Sequence, residues 1–186
     1  MNYVKVKLDD HMIELLRNLI GQKMHRFIRG LTPVNSWTYG SVSVVCDQNI
    51  IQVDNELQVL TIDFPEEYGV LTVREINNKK EIDVLYPLPV ETKVESEIID
   101  VKIVTDTISC YHGQVGIYEV KFDIALIFDL RSSSIIFEKD VWFDEDNLVH
   151  LNCKSENVLK PIHNGWTFSE PYRGVYSREI KSVKTY

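Results

Sequence analysis

The residues best suited to metal chemistry are two short pairs, Cys110-Tyr111-His112 and His150-Leu151-Asn152-Cys153. On one strand Cys110 and His112 would share a face, and His150 with Cys153 would complete a tetrahedral Cys2His2 set. Structural zinc is usually held by tight Cys-x-x-Cys knuckles, and neither pair is one. The expectation is therefore two buried or half-buried cysteines and two surface histidines, with no structural metal and no cofactor. His11, His25 and His163 have no obvious partner in the sequence. The acidic run Asp144-Glu145-Asp146-Asn147 follows Val141-Trp142-Phe143. It fails as a calcium loop, because its sixth position is Val149 and its twelfth is Ser155. It reads as a solvated turn in which a charged rim adjoins an aromatic anchor.

Nucleophilic chemistry has less support. Gly40-Ser41-Val42-Ser43-Val44 lacks the second glycine of a nucleophile elbow. No glycine-rich nucleotide loop and no His-Glu-x-x-His pair is present. The reading leans away from an enzyme, although Ser–His and Cys–His pairs can assemble from distant residues. The segment from His163 to Tyr176 concentrates Trp166, Phe168, Tyr172, Arg173 and two glycines. Such residues are rich at interfaces and in pockets. This tail either wraps the body and covers a sheet edge, or is a recognition surface. The candidate binding residues are thus Trp142, Asp144, Glu145, Asp146, Trp166, Tyr172 and Arg173.

The elements that must position these residues follow from a change of period. Asp9 or Asp10 caps a helix read over residues 9–29. Its stripe is Met12, Ile13, Leu16, Leu19, Ile20, Met24, Phe27 and Ile28, at three- and four-residue steps. Gly30 and Pro33 stop it, and Gly21 is an interior cost. Tyr3 to Leu8 forms a first strand. From about residue 41 to 153 the chain reads as strands: Ser41–Cys46, 49–53, 57–64, 70–76, 82–86, 94–109, 118–130, 135–143 and 148–153. Turns fall at Asp54-Asn55-Glu56, Asn77 to Lys80 and Arg131 to Ser134. In residues 118–130 one face is apolar from Tyr118 to Phe128 and the other reads as wet. An aromatic tail occupies 162–186. The fold class is α+β: a single domain over 1–186, with a mainly antiparallel curved sheet or partly open β-barrel and one N-terminal amphipathic helix. No βαβ rhythm is present.

Composition narrows the function. Net charge is −8, but residues 41–170 hold ten Lys/Arg against twenty-four Asp/Glu, between two mildly basic ends. Nucleic acid is disfavoured, since phosphate contacts need cations. No apolar run spans a bilayer and the N-terminus has no signal-like apolar region, so no membrane is expected. Three scattered cysteines suggest free thiols in a reducing cytoplasm. The first functional expectation is a non-catalytic cytoplasmic protein-binding module, of inhibitor, immunity or adaptor type, whose acidic surface meets another, basic protein. The alternatives are a small-ligand-binding barrel or an enzyme lacking a linear motif, and a subunit of a larger structural assembly. A flat acidic patch favours the first, an aromatic pocket the second, a long unpaired strand the third.

Overall fold

The structure is a computed structural model and describes residues 1–30, 37–77, 89–140, 146–153, 158–160 and 167–186. In chain order these form β1 (Asn2–Val6), α1 (Asp10–Arg17), β2 (Lys23–Gly30), β3 (Trp37–Tyr39), β4 (Val42–Cys46) and β5 (Ile50–Thr61). There follow β6 (Pro65–Glu75), β7 (Pro89–His112), β8 (Val115–Leu130), β9 (Ser134–Lys139), β10 (Asp146–Cys153) and β11 (Tyr172–Ser182), then a 3-10 turn at Val183–Thr185. The strands make one 11-stranded sheet in the order β3-β10-β9-β8-β7-β2-β4-β5-β6, with β1 beside β8 and β11 beside β7. Every pairing is antiparallel except β1 with β8. The two ends of the path, β3 and β6, do not pair with each other, so the sheet is open. This corrects the barrel-like α+β expectation: the protein is a mostly antiparallel, uncurled sheet with one helix.

β7 and β8 are the spine. The β-branched run of β7 extends over 24 residues, and Val, Ile and Thr suit such a pleated surface. Its first part, Pro89–Glu97, pairs with β2. Its second part pairs with β8 on one edge and with β11 on the other, the latter from Lys102 to His112. The outer edge of β8 is shared in turn, by β1 along Tyr118–Phe122 and by β9 along Ala125–Asp129.

The helix read over 9–29 is corrected. Asp9 caps α1, its carboxylate accepting from Met12 N at 2.8 Å, but the helix ends at Arg17. Gly21 at φ +86 turns the chain, and its N–H donates to Ile98 O at 2.9 Å. Residues 23–30 then form a strand whose pairing shifts register between Met24 and Arg26. Against β4, His25 is the extra residue. A strand with such a bulge can place Met24 and Phe27 on the same face, three residues apart. Both are fully buried in one core, whereas Ile28 belongs to another cluster with Val45 and Ile76. Three-residue spacing therefore came from a bulge and mimicked a helix.

Two further expectations change. No turn occurs at Asp54-Asn55-Glu56; β5 runs straight through it. Asp54 is buried because Gln52 Nε2 donates to it at 2.6 Å and the Ser41 hydroxyl bonds it too. The expected wet face of β8 is only partly so: Glu119, Lys121 and Asp129 are half-buried, but Asp123 and Ile127 are each 2% exposed. Ile124 is unpaired where Val104 meets Ala125 and Thr105 meets Asp123. Beyond this bulge the faces exchange: Tyr118, Val120 and Phe122 share a core with Ala125 and Ile127, while Leu126, Phe128 and Leu130 join the other. Residues 78–88, which include an expected strand and most of an expected hairpin loop, lie outside the described residues. Among the described residues no helix is long and apolar enough to cross a membrane.

Candidate functional site

The far ends of β7 and β8 converge with the β5–β6 turn and the segment before β11 on a groove of about 430 Å³. Its walls include Asp63, Cys110, His112, Tyr118, Phe168 and Tyr172. Strand alternation puts Cys110 and His112 on the same face of β7. Tyr118 stands opposite Cys110 across β8, and Tyr172 stands opposite His112 across β11. The His112 and Tyr172 rings are 5.4 Å apart. Phe168 lies 6.4 Å from Tyr118 and 6.2 Å from Tyr176, centroid to centroid. These are favourable spacings for tilted aromatic pairs.

Gly174 makes this arrangement possible. A Cβ there would meet the Phe168 ring at 2.5 Å and the Tyr176 hydroxyl at 2.6 Å. The missing side chain lets Phe168 pack closely on β11 and form a wall. The turn before β11 is closed by Tyr172 N donating to Ser169 O at 3.0 Å.

The groove's polar groups suit binding better than bond breaking. Burial pushes the Cys110 thiol up; a hydrogen bond with Tyr118 opposes this, and the charge of Asp63 adds to it. A thiol held protonated is a poor nucleophile. Burial also pushes up the Tyr176 phenol, with Cys110 contributing. Tyr68, on β6, is pushed up to about 12 by burial first and then by Glu66 and Asp63. The charges acting on this end are thus negative.

The residues expected to bind are dispersed. Trp142, Asp144, Glu145 and Trp166 lie outside the described residues. Asp146 opens β10, half-buried, and its carbonyl accepts from Asn55 Nδ2 at 3.3 Å and from Asp140 N at 2.9 Å. Tyr172 lines the groove, while Arg173 alternates to the other face and stacks over Tyr111 at 5.4 Å. Among the metal candidates, Cys110 and His112 share the groove, but His150 Nε2 sits 2.8 Å from Glu138 Oε2. Among the described residues no three potential ligands come together. His25, which lacked a visible partner, bridges Asp47 at 2.9 Å and Glu95 at 3.4 Å.

Sequence reasoning also missed a buried ionic clamp. Asp106, 1% exposed, takes both 2.6 and 2.7 Å bonds from Arg178. Arg178 reaches Lys160 O at 3.0 Å, Lys160 N donates to Glu138 at 2.8 Å, and the Lys160 ammonium pairs with Asp140. Burial raises the Asp106 carboxyl above its usual range, Arg178 opposes this and Glu138 reinforces it. Its members are saturated by one another, so the clamp fastens β11 and residues 158–160 to the sheet. No sequence signal set Asp106 apart, because β7 also carries Glu91, Lys93, Glu95, Glu97, Asp100 and Lys102.

No protein-family model, curated protein or solved structure matches this chain, so the geometry of the groove is what bears on function.

Proposed function

We propose that this chain is a non-catalytic binding protein and that the groove end is its surface for another protein. The observation that carries the reading is the apolar rim. Met1, Phe64, Val115 and Tyr172 are 46, 59, 64 and 48% exposed. Scattered exposed apolar residues are ordinary, but a contiguous patch marks an interaction site. These four come together from distant segments. Asn2 Nδ2 donates to Ile62 O at 3.2 Å, tying the N-terminus to the turn that carries Asp63 and Phe64. The Met1 sulfur lies over Gly116, and Val115 and Tyr172 both stand opposite His112. A small ligand filling the groove would leave this rim exposed; a protein would cover it. The acidic balance of residues 41–170 favours a basic partner. A reducing, cytoplasmic location belongs to the same reading, on the odd number of cysteines.

The test is site-specific photo-cross-linking in the native cell. A photoreactive residue at Tyr172 should capture a discrete partner. The same residue at Ile99, 41% exposed and about 40 Å away along β7, should not. Equal capture at both positions, or none at Tyr172, contradicts the reading.

A second reading is favoured by β11. Among the described residues this 11-residue strand pairs with β7 alone, and a free strand edge is a template for further pairing. Assembly through that edge predicts a mass that grows with concentration in light scattering. A constant monomer mass removes it.

A further inference from the structure

We infer that the groove receives a basic side chain of the partner protein, held among Tyr118, Phe168 and Tyr172 with the Asp63 carboxylate as counter-charge. This rests on the groove being the binding surface. It adds the chemistry of what enters.

Aromatic faces attract cations, and the attraction grows as water is excluded. Here Tyr118 is only 8% exposed, whereas Tyr172 at the mouth is 48% exposed. A long side chain thus passes from a wet rim to a dry floor, as Arg and Lys stems do. Among the described residues that line the groove there is no Lys or Arg; Arg173, the nearest in sequence, faces away over Tyr111. Lys121, on β8, pairs with Glu119 at 3.7 Å. Anions gather on the facing side instead, with Asp63 on the turn and Glu66 and Glu67 at the start of β6. Burial is the main cause that raises Cys110 and Tyr68; the Asp63 charge adds to both, and Glu66 adds to Tyr68. The backbone of Gly174 seats Phe168, so one wall is fixed before any ligand arrives. A preformed wall lowers the ordering cost of binding.

The test uses the full chain and two blocked pentapeptides, four alanines around a central arginine or around citrulline, its neutral isostere. Amide shifts of Ile117, Thr167 and Ser169, which line the groove, report occupancy in NMR titrations. The arginine peptide should saturate these shifts, and citrulline should bind about tenfold more weakly. Asp63→Asn, at an exposed turn, should weaken the arginine peptide by a similar factor and leave the citrulline peptide unchanged. Equal binding of both peptides, or indifference to Asp63→Asn, overturns the inference. So does the absence of groove shifts at millimolar peptide. Tetramethylammonium binding more tightly than the arginine peptide would assign the groove to a free small cation and overturn the choice of a protein side chain. Cross-linking at Tyr172 without arginine preference keeps the binding surface and removes only the cation; failure of both removes both.

Discussion

At Gly174 a single absent methyl decides the shape of the groove. Alanine in a strand is normally preferred to glycine, but here its Cβ would strike Phe168 and Tyr176. Gly174→Ala should therefore destabilise the protein by about 1–3 kcal/mol, as overpacking does, and displace the Phe168 wall. Urea denaturation measures the first effect, and loss of peptide-induced shifts at Thr167 and Ser169 the second. A second residue-scale expectation concerns pH. Burial pushes the Asp123 carboxyl above its ordinary 3.8, although Thr105 and the Leu8 N–H bond to it. A raised folded value means that folding takes up a proton. That stabilisation is complete below the unfolded value and is lost as pH rises through the folded one. Asp47 acts with the opposite sign. The Lys23 N–H, then His25, hold it low, so its contribution is present above the ordinary value and lost as pH falls through the folded one. Urea midpoints taken at steps from about pH 3 to 7 should lose the Asp123 part of the decline in Asp123→Asn. An unchanged slope contradicts the assignment. Little of this was legible in the sequence. Cys110, His112, Phe168 and Tyr172 drew attention by type, but Asp63 and Tyr118 are unremarkable until five segments meet.

At the scale of elements, bulges separate what the sequence shows from what the chain does. Strand existence was legible wherever β-branched residues run long, as in β7, and the Ser132–Ser133 turn between β8 and β9 was legible too. Facing was not, because one extra residue exchanges faces and leaves no mark in composition. Ile124 does this in β8 and His25 in β2. Deleting His25 should remove the bulge and leave Met24 and Phe27 two residues apart, still on one face of a regular strand. In denaturant titration the deletion should therefore cost well under the about 3–5 kcal/mol expected of Phe27→Ala. A loss as large as that of Phe27→Ala would mean the bulge does not set the facing. α1 is short, yet its buried residues Ile13 and Leu16 were read correctly. Leu16, fully buried, should cost about 2–5 kcal/mol when changed to Ala. The polar stretch Asp54-Asn55 was read as a turn because partners that satisfy it, Ser41 for Asp54 and the Asp146 carbonyl for Asn55, are distant in sequence.

Across the whole molecule, the sheet holds its ends together through long-range pairing, and that is why the groove could not be read beforehand. β11 runs along β7 from sixty residues or more away in sequence, and β1 joins β8 in parallel from still further away. Charge was legible: the acidic middle of the chain is set against two basic ends. Its role in the proposed function is steering. Association with a basic partner should slow as salt rises, since exposed charges are screened beyond about 8 Å at physiological ionic strength. The apolar rim and groove should instead govern how long the complex lasts. The most direct measurement is therefore the association and dissociation rates of the partner captured at Tyr172, for two variants. Tyr172→Ala should raise the dissociation rate enough to weaken affinity by about 2 kcal/mol or more, as a central anchor does. Neutralising Asp144, Glu145 and Asp146 together should lower only the association rate. If the neutralised variant loses the partner while Tyr172→Ala binds as before, the acidic run is the working surface and the groove account is wrong.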